Sequence, residues 1–431
     1  MRKVLGSGIV LIAMAVVISC GGSGSSSSQH RLSGVKFRAF VSNPLLVSGG
    51  TPTPSLNIVN ASTDVLFQSA ISLSGETHPD LMAVSPNLKL TLVFSSVQNA
   101  VAVIDNTTES TATVTGGTGT ISNFNLPGLT ESMFVASDNL TAYAAVPSAA
   151  VEGGPPGAVV VMDLGKGLIK ATIPIPAAHF VVGSPDGNNI LVFSDNSNSI
   201  TILSAVLIGT NTDPRTTVSG FDRPVWAIFS DNSDAFIFNC GLECNGVAGG
   251  IASYTLGDAA PTRTLPVSGA TYGLLNGTTL YVAGTPPNTP CGSGTSAPTC
   301  GTLNLVDTNS FRVTNASPVI IPDGFHDRMA MGANGQLFVG SQNCTNINIE
   351  AGEVRGCLGI FNTNTSKVIV PPQTGDATGI APVPGRQVVY VCQGGGFQIY
   401  DTTTDQLLVQ TIVTDIVGDS TDVKIVDPPP S

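Results

Sequence analysis

Charge is scarce in this chain. Only 11% of its 431 residues are Asp, Glu, Lys or Arg, and the 17 basic side chains are outnumbered by 29 acidic ones. A surface so poor in Lys and Arg offers no electrostatic footprint for a phosphate backbone, which excludes nucleic acid as a partner. Tryptophan occurs once and histidine four times, few for a metalloenzyme. No HExxH, P-loop, GxSxG elbow, EF-hand loop or strand-to-helix GxGxxG is present, so the compact signatures of zincins, NTPases, α/β-hydrolases, calcium sensors and dinucleotide enzymes are missing. Helical period is absent from every long stretch, leaving an essentially all-β reading. What abounds instead is turn chemistry: 48 Gly and 29 Pro.

The first residues address the chain to a compartment. Met1-Arg2-Lys3 precedes an apolar run from Ile9 to Ile18, which is shorter than the roughly 20 residues a bilayer span needs. Positive residues before a short apolar run are the layout of a secretory signal peptide. The run ends at Val17-Ile18-Ser19-Cys20, which resembles the bacterial lipobox; that resemblance implies residues 1–19 as a lipoprotein signal and Cys20 as the lipidated first residue of the mature chain. A plain cleaved signal with a chance cysteine is the alternative. Residues 20–34 open with GGSGSSSSQ after Cys20 and read as a flexible tether. Gly21, where an inner-membrane retention signal would carry Asp, points to the outer membrane, on its periplasmic or surface side.

Export sets the chemistry of the other cysteines. Cys240 with Cys244, Cys291 with Cys300 and Cys344 with Cys357 form local pairs that an oxidising compartment would bridge. Zinc is the competing reading of clustered cysteines, but no pair is CxxC and none has a neighbouring histidine. Cys392, left over inside Val388-Val389-Tyr390-Val391-Cys392, reads as a small buried hydrophobe.

One phrase recurs eight times: an alternating apolar run closing on a small polar residue, at Asn60, Asp105, Asp163, Ser204, Thr255, Asp307, Asn362 and Asp401. The closing residues lie 45, 58, 41, 51, 52, 55 and 39 positions apart, a spacing that signals a propeller or array. Each unit reads as four strands, most plainly Phe180–Gly183, Ile190–Phe193, Ile200–Leu203 and a fourth leading onward. The polar endings read as turn acceptors, not catalysts. The phrases SPDG…LVF…ITIL and VVYV…FQIYD resemble the YVTN-type β-propeller repeats of bacterial surface proteins, relatives of lactonase-like propellers. The resemblance implies a propeller over residues 35–427, with 428–431 as a tail. Counting gives eight blades, with seven the alternative. Unit one lacks a first strand while the end of the chain offers an orphan, Asp422–Val426, so the tail is expected to complete blade one and remove an exposed sheet edge.

Propeller geometry then collects residues from separate blades at one mouth of the channel. His78, Asp80, Glu131, His179, Arg223, Tyr272, His326, Asp327, Arg328 and Asp376 all stand near the start of a first strand. The long insertions Pro147–Gly157, Gly284–Gly301 and Ser341–Gly356 share that face. A ligand site at the mouth competes with a polar collar that merely solvates strand ends, and Trp226 reads as packing. The leading expectation is a lipid-anchored, monomeric envelope module that binds a protein or glycan through its long-loop face, with no catalytic residue and no cofactor. The alternative is a lactonase-like or other hydrolase at the channel mouth, for which a divalent metal is the cofactor left open. A quinone-dependent dehydrogenase shares the fold, but one tryptophan is too few for its repeated docking motifs.

Overall fold

Successive residues of a strand point to opposite faces, and both faces of these strands are apolar. In Ala100–Asp105, Val101 and Val103 pack with the following blade while Ala102 and Ile104 pack with the preceding one. Such a strand needs a sheet on either side, and a ring of sheets supplies both. The computed structural model describes residues 32–430 except 46, 49–50, 53, 68–69, 74–77, 115–118, 122, 292–298, 346, 351–352 and 409–415. Its main unit, Ser33–Ser431, is an all-β propeller of eight antiparallel blades, each built on a four-strand path. Eight hydrophobic clusters fill the eight interfaces between blades. The only helical pieces among the described residues are the 3-10 turns Ala205–Leu207 and Gly241–Cys244.

The innermost strands are Asp422–Ile425, Pro79–Val84, Ser132–Val135, Ala178–Gly183, Pro224–Phe229, Tyr272–Asn276, Phe325–Met331 and Ala377–Pro382, for blades one to eight. Blade one is therefore closed by the end of the chain, as the orphan strand implied. Ala39, Phe40, Val41 and Ser42 pair with Ile425, Lys424, Val423 and Asp422, and Val423 is fully buried against blade eight.

Turns behave as the polar endings suggested. The Asp105 carboxylate accepts the amides of Thr107 and Thr108, and Asp401 those of Thr403 and Thr404. All three cysteine pairs are bridged, and each bridge lies in the connection between the second and third strands of blade five, six or seven. Cys392 is free and buried, and that burial raises its thiol well above the usual value. The signal segment 1–19, the lipidation site Cys20 and the tether up to residue 31 lie outside the described residues. Among the described residues no helix is long and apolar enough to cross a membrane.

Candidate functional site

Five innermost strands carry the same irregularity at the same place. In blades two, four, five, seven and eight the register slips by one residue near the start of the strand, leaving Asp80, His179, Val225, Asp327 and Thr378 without a cross-strand partner. A bulge bends the strand and re-aims the extra side chain. Because innermost strands start on the face where second strands end, these bulges ring one mouth of the channel. Their contacts confirm that face: the Asp80 carboxylate accepts the Ser96 amide at 2.7 Å, and Ser96 directly follows the second strand of its blade.

His179 makes the most polar bridge at the mouth. Its Nδ1 lies 2.7 Å from Asp195 Oδ1 and its Nε2 3.1 Å from Glu131 Oε2, linking blade four to blade three. Burial alone would lower the imidazole, but hydrogen bonds and charge from Asp195 and then Glu131 outweigh it and push the ring up to about 9. The same bond lowers the Glu131 carboxyl. The imidazole is thus cationic in neutral solution. Since its folded value exceeds the ordinary 6.5, the bridge stabilises the fold fully below pH 6.5 and loses that contribution as pH rises through about 9. In an NMR titration the His179 ring is expected to titrate near pH 9 and to return toward 6.5 in Asp195→Asn; an ordinary midpoint in the unaltered protein would show that the bridge does not form in solution.

Behind the mouth lies a chamber of about 310 Å³ on the axis. One side is aromatic. Phe325 of blade seven stacks on Phe180 of blade four, with centroids 6.1 Å apart, so the two rings meet across the channel and not between adjacent blades. Trp226 meets the edge of Phe180 at 6.2 Å and lies 5.0 Å from Tyr272. Asp327, Arg328 and Lys424 add a polar part to the wall, supported by Gln342 from the outer cavity. Arg328 Nη1 donates to Asp327 Oδ2 at 2.9 Å, and its Nε to the Thr378 carbonyl at 3.0 Å. Gln342 Nε2 donates to the same Asp327 oxygen at 2.6 Å. Lys424, on the closing strand, donates to Asp422 at 2.9 Å. Burial pushes the Asp327 carboxyl up to about 6, against the pull of Arg328 and Gln342. A second cavity of about 320 Å³ shares Leu81, Glu131 and Arg328 with the chamber and lies toward the mouth, with Asp80 and Ser96 on its wall.

The structure brings Glu131, Tyr272, His326 and Asp327 together on the chamber wall, with Asp80 on the outer cavity and His179 bound to Glu131. Within that set His326 is a packing residue: it is 1% exposed, its Nε2 meets the Pro322 carbonyl at 3.1 Å, and burial drops it to about 4. His78, Arg223 and Asp376 line neither cavity. The His78 amide donates to Ser95 Oγ, Arg223 Nη2 to the Asn245 carbonyl, and the Asp376 carboxylate accepts the Cys344 amide. Asp376 also lies with the sulfurs of Cys344 and Cys357, within 4.8 Å, but those sulfurs are bonded to each other. Arg223 and Asp376 thus fasten long loops. Lys424, Phe180 and Phe325 are chamber residues that sequence reasoning did not single out. Lys424 could have been found, since a tail that supplies an innermost strand must bring its side chains to the axis.

No protein-family model and no curated protein matches this sequence. Solved structures do. The chain is similar to the dihydro-heme d1 dehydrogenase NirN in complex with DHE, at 11% identity and TM-score 0.62, covering 91% of this chain and 75% of that one. It is similar to the Dos1 propeller at 12% identity and TM-score 0.56, over 80% of this chain and 87% of that one. BamB from Moraxella catarrhalis matches at 13% identity and TM-score 0.52, over 81% and 88%. At such identities the likeness is one of fold, and the fold shared is the β-propeller.

Proposed function

We propose that this chain is a lipid-anchored module of the bacterial cell envelope, carried on the outer membrane, that binds a protein or glycan through the face bearing its long loops. It works as a monomer and without a resident cofactor. The observation that supports this reading most is the placement of the disulfides. All three pin loops on the side of the disc where the channel opens. Loops on a rigid scaffold are where binding residues concentrate, and a cross-linked loop has less freedom to lose on binding. Ser33 supports the anchoring direction. It bonds Glu109, in the turn after the third strand of blade two, on the opposite side of the disc. Ser33, near the end of the tether, therefore lies on the side opposite the long loops.

The hydrolytic alternative has weaker support. His179 is a poor candidate for its general base, because an imidazole base needs a neutral ring nitrogen and this ring has both nitrogens engaged by carboxylates and is held up to about 9. In the source organism, a photo-crosslinking residue in place of Val247, 82% exposed on the Cys240–Cys244 side of the disc, should give discrete adducts. The same residue at Val206, 70% exposed on the opposite side, should give none, and Cys20→Ser should release the protein from the membrane fraction. Equal labelling from both positions sinks the proposed face.

A further inference from the structure

We propose that the axial chamber is itself a binding site, and that its ligand is a flat aromatic carboxylate bearing a hydroxyl or amino donor. This does not rest on the reading of the long-loop face. Phe180, Trp226, Tyr272 and Phe325 come from four different blades and converge on the axis, where a propeller of this size could equally be filled by aliphatic side chains. A ring wall of this kind favours a planar partner held by offset or edge contacts. The chamber's volume of about 310 Å³ sits at the low end of small-molecule sites, which run from about 300 to 1,000 Å³, and suits one or two rings.

Hydrogen-bond accounting supplies the rest. Asp327 is 7% exposed and its Oδ1 is buried with no partner among the described residues. A buried carboxylate oxygen left open costs free energy that a donor on a ligand would recover. Arg328 spends Nε and Nη1 on Thr378 and Asp327 and has no partner for Nη2 among the described residues, while Lys424 spends one bond on Asp422. Asp422 acts electrostatically on Arg328 as well as pairing with Lys424, so the two cations flank one region of the wall. Both oxygens of Asp422 already accept bonds, Oδ2 from the Met82 amide and Oδ1 from the Val423 amide and Lys424. The open groups beside the ring surface are therefore two cationic donors and the buried acceptor Asp327 Oδ1, while the Glu131 carboxylate, paired with His179, stands where the chamber meets the outer cavity. An aromatic acid matches that set: its ring lies on the aromatic wall, its carboxylate bridges Arg328 and Lys424, and its donor meets Asp327 Oδ1. The outer cavity that shares Arg328 and Glu131 gives the route in.

Trp226 is the chain's single tryptophan, so intrinsic fluorescence reads this chamber directly. With the folded mature protein, 4-hydroxybenzoate is expected to change that fluorescence saturably. Cyclohexanecarboxylate, whose ring is saturated and which lacks the hydroxyl, loses the aromatic contacts and the donor to Asp327, and 4-hydroxybenzyl alcohol loses the charge-assisted contacts; each should bind at least about tenfold more weakly. Lys424→Met should weaken 4-hydroxybenzoate by about tenfold while leaving the melting transition in place. Arg328→Gln is the second variant, read only with its own melting curve alongside. A response linear in probe, equal affinity for the acid and the alcohol, or Lys424→Met binding like the unaltered protein would each overturn the proposal.

Discussion

Removing residues 420–431 should abolish cooperative folding. The segment supplies the whole innermost strand of blade one, four residues paired antiparallel with Ala39–Ser42. Without it, the Ala39–Ser42 strand becomes an open edge on the axis, and the interfaces of blade one with blades two and eight lose Val426 and Val423, both fully buried. Each such side chain is worth about 1.5–3 kcal/mol of burial. Added to the lost ladder and the exposed edge, this approaches the roughly 5–15 kcal/mol by which domains are stable at all. A thermal scan followed by circular dichroism should show no sigmoidal transition for the truncated chain. A synthetic peptide of residues 418–431 should restore one. Gly379→Val is the graded version of the same test. A Cβ there would fall 2.8 Å from the Val423 nitrogen and 2.9 Å from Asp422 Cα, backbone atoms that cannot swing aside. The closing strand must shift, at a cost of about 1–3 kcal/mol. If the truncated protein melts with the full-length chain, closure by the tail is not what holds the ring.

The parts of this molecule that were legible in its sequence are those written locally and repeatedly. Eight polar strand endings gave the blade number because most of them also shape their own turn: Asn60, Asp105, Asp163, Asp307, Asn362 and Asp401 each accept an amide of the turn that follows. Paired cysteines gave the bridges because each closes a short loop within one blade. The site was harder. A bulge adds one residue with no composition of its own, and Asp80, His179, Val225, Asp327 and Thr378 share no chemical type. Residues aligned by strand start therefore drift by one position from blade to blade, which is why loop-fastening residues such as Arg223 and Asp376 entered the same set as Asp327. The aromatic wall was hidden for another reason. Phe180, Trp226 and Phe325 each look like an ordinary core residue of one strand, and only the ring's closure makes them neighbours of one another and of Tyr272, which stood among the mouth candidates.

Distance along the chain also hid the clamp behind blade one, and its removal carries the second large effect: Arg38→Ala should destabilise the protein by about 3–5 kcal/mol, the range for breaking a buried ion pair from one side. Arg38 is 10% exposed at its side chain and reaches 389 residues to Asp427, with Nε at 2.6 Å and Nη2 at 2.7 Å from the two carboxylate oxygens. Its Nη1 donates to the Asn106 carbonyl at 2.6 Å and to Glu109 at 2.8 Å. One guanidinium therefore fastens the end of the chain, its start and blade two. Burial alone would raise the Glu109 carboxyl, but bonds from the Ser33 hydroxyl and amide and from Arg38 outweigh it and hold it below the ordinary carboxylate value. A depressed acid stabilises the fold at pH above its unfolded value of 4.5 and loses that contribution as pH falls through its folded one. The stability gap between the unaltered protein and Arg38→Ala in urea unfolding should accordingly be full at pH 7 and narrow in acid below pH 4.5. The exposed pair Arg215–Asp213, with side chains 42% and 58% exposed, is the contrast: both its charges stay in water, so Arg215→Ala should leave the urea midpoint unmoved. Equal, small effects from the two alanine variants would mean that the Arg38 network is solvated in the folded protein, and that the ring is held by strand pairing and apolar packing alone.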